Sequence, residues 1–66
     1  MDTYAELYAR ANGILVLIDQ LEAEAERPEL GDELVTSAAA RLGMARSHVE
    51  AFKSALEREK NGKVAH

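Results

Sequence analysis

The chain is predicted to be all-α, with a long N-terminal helix followed either by a helix-turn-helix or by a second long helix that closes a helical hairpin, and to dimerise through helix 1. Three observations point there. The 66 residues include one proline and three aromatics. Apolar residues recur at alternating steps of three and four, and no segment shows the Val/Ile/Thr alternation of a strand. The chain is also too short to stand easily alone, since below ~70–80 residues one core supplies only ~3–5 kcal/mol and small folds lean on disulfides, metals or oligomerisation. With no cysteine, disulfides and thiolate metal sites are excluded, which leaves oligomerisation. One domain is expected over 1–66, comprising a dimerisation helix over 1–27, a helix-turn-helix or long second helix over 32–60, and a flexible tail over 61–66.

The first helix opens at "DTYAEL", where Thr3 as N-cap and Glu6 three residues on have the spacing of a capping box. Tyr4, Leu7, Ala11, Ile14, Ile18, Leu21 and Ala25 then form one stripe. Leu15, Val16 and Leu17 fill the rest of the circumference at mid-helix, where a helix with one dry face would carry charge. Cover from more than one side is therefore expected. A homodimer supplies it, with Tyr4, Leu7, Ala11, Ile14, Leu15, Val16, Leu17, Ile18 and Leu21 at its interface and Gly13 permitting close backbone approach. Pro28 ends the helix near Glu26, "RPELGD" turns the chain, and Asp32 is placed to cap the next helix.

Residues 36–52, "TSAAARLGMARSHVEAF", admit two arrangements. In the first, the small pair Ala38 and Ala39 lets two helices cross closely. Leu42, Gly43 and Met44 then make the turn, and Val49 and Phe52 line the inner side of the next helix. In the second, Val35, Ala38, Leu42, Ala45, Val49, Phe52 and Leu56 form an uninterrupted stripe of one helix from Asp32 to Lys60, and Gly43 costs about 1 kcal/mol relative to alanine. Two such hairpins would make a four-helix bundle, similar in length and layout alone to the small plasmid RNA-binding Rop dimer. Asn61-Gly62 ends the last helix in both cases.

Over about a third of the chain, Thr36, Ala38, Ala39, Leu42, Gly43, Met44 and Arg46 match "T-x-A-A-x-x-L-G-[apolar]-x-R", and the segment resembles the C-terminal helix-turn-helix of Fis-type regulators. The resemblance implies dimerisation by the preceding helix and a second motif helix in the major groove. Ala45 stands where that family usually places a capping serine or threonine, and Glu50, Glu57 and Glu59 make the reading helix less basic than the family's.

Charge divides the chain. Residues 1–33 carry nine acids (Asp2, Glu6, Asp19, Glu22, Glu24, Glu26, Glu29, Asp32, Glu33) against Arg10 and Arg27, whereas residues 34–66 carry Glu50, Glu57 and Glu59 against six bases. The longest apolar run, Ile14 to Ile18, is far too short to cross a bilayer, and the N-terminus lacks a basic leader, so a cytoplasmic protein is expected. No phosphate loop, cysteine nucleophile or paired-histidine ligand spacing is present, so neither catalysis nor a cofactor is expected. Tyr4 and Tyr8 are expected to pack at the core and its rim rather than stack on bases.

The leading functional expectation is a small homodimeric helix-turn-helix transcriptional regulator that binds duplex DNA. Arg46, Ser47 and His48 would meet base edges, with Arg46 on a guanine and Glu50 on a cytosine amino group. Thr36, Ser37, Arg41 and Lys53 would hold phosphates. The alternative is a phage- or plasmid-type inhibitor or adaptor that grips a host regulatory protein through its helical surface without binding DNA. Ala45 and the three glutamates motivate it.

Overall fold

Asp2 starts the first helix. Its Oδ1 accepts the Tyr4 backbone N–H at 3.0 Å and its carbonyl accepts that of Glu6 at 3.0 Å, so Asp2 is the N-cap and Thr3 the first helical residue. This corrects the expected Thr3–Glu6 capping box: Glu6 instead bonds Arg10 one turn on, at 3.3 Å. In the computed structural model, which describes residues 2–64, α1 spans Thr3–Glu24.

The helix stops two residues before the expected Glu26. Pro28 holds Arg27 extended (φ −64°, ψ 133°), and the amides of Glu26 and Arg27 turn back to the carbonyls of Ala23 and Glu24. A 3-10 turn, Pro28–Leu30, comes next, and Gly31 at φ 81° redirects the chain. That left-handed conformation is why a glycine is needed here. Asp32 then becomes the first residue of the next helix rather than its cap, adding an acid to the first turn together with Glu33.

The second helix, α2, runs without a break over Asp32–Val64, 33 residues. Gly43 lies inside it with ordinary helical backbone, since among the described residues only Gly31 has positive φ. The turn needed by a helix-turn-helix is not made, and the long-second-helix arrangement is the one observed. The physical reason is the seven-residue stripe: a bend at Gly43 would lift either Val35 and Ala38 or Val49 and Leu56 off α1, losing more burial than one glycine costs. The Asn61-Gly62 stop is likewise overridden. Residues 61–64, expected in a loose tail, continue α2, and the rest of that tail, residues 65–66, lies outside the described residues.

The two helices run antiparallel. Lys60 reaches Asp2 at one end, and Arg46 reaches Asp19 and Glu22 nearer the turn. Between them lies a thin core: among the described residues only Ala11, Leu15, Ile18 and Leu56 are buried. On α2, Val35, Ala38, Leu42, Ala45 and Val49 are half-buried along the seam, as the stripe predicts, while Phe52 has rotated off it and is 48% exposed. On α1 the buried row is displaced from the expected one. It runs through Tyr4, Tyr8, Ala11, Leu15, Ile18, Glu22 and Ala25, leaving Leu7, Ile14 and Leu21 on its margin. The expected dimer contacts Ala11, Leu15 and Ile18 are thus occupied within the chain by α2.

Candidate interaction surface

The flanks of the seam differ in kind. On one, Arg46 donates to both Asp19 and Glu22, and Lys53 Nζ lies 4.9 Å from the Tyr8 ring centre. Arg46 is held ionised more strongly than an ordinary guanidinium, first by its hydrogen bond to Asp19 and then by that to Glu22. A groove of about 350 Å³ runs along this flank between the ends of the helices, lined by Tyr4, Tyr8, Asn12, Leu56 and Lys60. Lys60, on its lining, pairs with Asp2 Oδ2 at 3.2 Å, and the hydrogen bond lowers the Asp2 carboxyl from its ordinary value. Tyr4 and Tyr8 are both half-buried here, packed at the seam as expected.

The other flank is apolar. Successive residues of a helix are about 100° apart, so Leu7, Ile14 and Leu21 line one edge of α1 and Leu17 stands just outside it. Arg46 and Lys53 occupy the polar edge of α2, which places Leu34 and Phe52 on the edge beside those leucines, with Met44 beyond. These side chains are open: Ile14 is 47%, Leu17 62%, Leu21 50% and Met44 63% exposed. Arg41, bonded through Nε to Ser37 Oγ at 3.1 Å, and His48 border the patch. Val16, expected in the same interface, lies on the other side of α1 from Leu17 and is 54% exposed.

No family model, characterised protein or solved structure matches this chain.

The residues expected to meet DNA do not converge. At helical spacing, Thr36 and Ser47 point away from α1, Arg46, Glu50 and Lys53 lie toward the polar flank, and Ser37, Arg41 and His48 lie toward the apolar one. A straight helix thus distributes over its whole circumference side chains that a bent motif would have gathered. Arg46, assigned to a guanine in sequence, holds α2 to α1 instead. Among the described residues no group of three His, Cys, Asp or Glu side chains is placed to hold a metal, and no helix is long and apolar enough to cross a membrane.

The apolar flank is only partly legible in the sequence. The density of apolar residues in α1 assigns Leu7, Ile14, Leu17 and Leu21 to an interface, but it does not reveal Leu34, Met44 and Phe52 as members of it. The available signal is the seven-residue spacing of Leu7, Ile14 and Leu21, offset from the row through Ala11 and Ile18.

Gly13 does not serve close approach within the chain, for a Cβ built there, or at Gly43, meets nothing within 4 Å.

Proposed function

We propose that this chain is a protein-binding module, a helical hairpin that works by docking its apolar flank against another helical surface. One observation carries the reading: Leu7, Ile14, Leu17 and Leu21 of α1 and Phe52 and Met44 of α2 are 37–63% exposed on one side of a hairpin whose other side carries the ion pairs between the helices. Apolar side chains grouped in this way mark interaction sites more often than isolated ones do. The inhibitor or adaptor role drawn from the sequence belongs to this class and needs no turn at Gly43.

The DNA-binding reading draws support from the Fis-like residues and from the excess of bases over acids in residues 34–66. Its reading helix has no separate N-terminus in a continuous α2, and Arg46 would have to leave two carboxylates to reach a base.

A titration of the chain against random duplex DNA at low and moderate salt tests the proposal. The expected outcome is no association at either salt. Binding that weakens steeply as salt rises would overturn it, because that dependence is the signature of phosphate contacts releasing counterions.

A further inference from the structure

We infer that the occupant of the apolar flank is a second copy of this chain, laid on it antiparallel so that the two turns lie at opposite ends of a four-helix bundle. The inference rests on the protein-binding reading and names its partner.

Exposed area points to a missing layer. The chain exposes 5183 Å². A monomeric protein of 7.2 kDa is expected to expose about 4,100 Å². The excess, about 1,000 Å², is close to the ~800 Å² that each partner buries in a stable interface. The cause is shape: with Cα extents of 54 × 19 × 9 Å the hairpin is one layer of two helices, and a core needs two layers. A second hairpin with the same flank supplies the missing layer. The contact is self-complementary, because apolar residues recur along the whole flank from Leu7 to Leu21 rather than at one end.

Charge sets the orientation. The turn end of the hairpin, residues 19–46, holds seven acids against Arg27, Arg41 and Arg46, whereas the remaining residues hold five acids and five bases. The molecule is thus polarised along its length, acidic at the turn and neutral at the termini. Stacking two turns together would press two acidic ends side by side. Reversing one hairpin sets each acidic end beside its partner's neutral end, where Lys60 and Arg58 sit. The two-fold axis then crosses α1 near Ile14, midway between Leu7 and Leu21. Each Ile14 meets its own copy, and Leu7 of one protomer meets Leu21 of the other.

The absence of native cysteine makes the geometry testable by single-cysteine cross-linking. Sedimentation equilibrium should give twice the chain mass, and Ile14→Cys should form an intermolecular disulfide under mild oxidation. Leu7→Cys and Leu21→Cys should each cross-link poorly alone and readily when mixed. Leu21→Lys should weaken self-association by more than about 100-fold while retaining monomer helicity, since it buries an unpaired ammonium in the dimer and adds a favourable charge to an acidic end in the monomer. A folded monomer at about 10 µM would overturn the inference while leaving the protein-binding reading in place with a different occupant. Leu7→Cys and Leu21→Cys each cross-linking on their own as readily as Ile14→Cys would overturn the antiparallel orientation. Salt-dependent DNA binding would instead overturn the underlying reading, whatever the mass.

Discussion

Gly43 shows how a single residue can suggest one structure and serve another. Followed by Met44 and preceded by Leu42, it has the sequence surroundings of a turn, yet its backbone is helical and a Cβ there meets open space. Gly43→Ala is therefore expected to raise stability by about 0.5–1 kcal/mol, the usual gain from replacing a helix-interior glycine. A fall in the thermal midpoint would mean that the chain turns at this position. Asp2 makes the corresponding case for charge. Its carboxyl is lowered from 3.8, chiefly by the hydrogen bond from Lys60, so the unfolded chain binds a proton more readily than the folded one. The contribution is fully present above 3.8 and is lost as the pH falls through the lowered folded value. Asp2→Asn, which can still cap the helix, should accordingly lose less stability than the wild type between neutral pH and about pH 3 in parallel thermal melts.

At the scale of the element, the first helix and the helical character of residues 32–60 are readable because helix formation depends on neighbours three and four residues away, and that periodicity is written locally; whether 32–60 is one helix or two is not. Helix ends were less readable. Asp2 outcompeted Thr3 as cap, and Asn61-Gly62 failed to stop α2, because these choices differ by about 1 kcal/mol or less. The face of α1 that meets α2 differs from the expected one by a fraction of a turn, since α1 is apolar over so much of its circumference that two adjacent rows satisfy the same spacing. The observed row makes a discriminating prediction. Ile18→Ala removes a side chain only 8% exposed and should cost about 2–3 kcal/mol in chemical denaturation. Val16→Lys, at a site 54% exposed and remote from both seam and apolar flank, should stay within about 0.5 kcal/mol of wild type and keep its mass in solution. Dissociation or unfolding of that variant would restore Val16 to an interface.

For the molecule as a whole, four buried residues among those described are few, and the proposed second layer would supply the cover that they lack. The unfolding midpoint is then expected to rise with chain concentration, which melts at two concentrations about a hundredfold apart would show, because association binds the folded state alone. An unchanged midpoint would mean that the single hairpin carries its own stability. The sequence by itself determined the helical class, the turn at Pro28 and the polarity of charge along the chain, all of which arise from residue type and short-range spacing. It also marked α1 as too apolar for one dry face. Only the tertiary structure decided whether Gly43 turns, which row of α1 is covered, and whether Arg46 is free. Those outcomes depend on what α1 offers α2 across the seam. The same local residues can satisfy a bend or a straight helix, and the balance is set by burial between segments far apart in the chain.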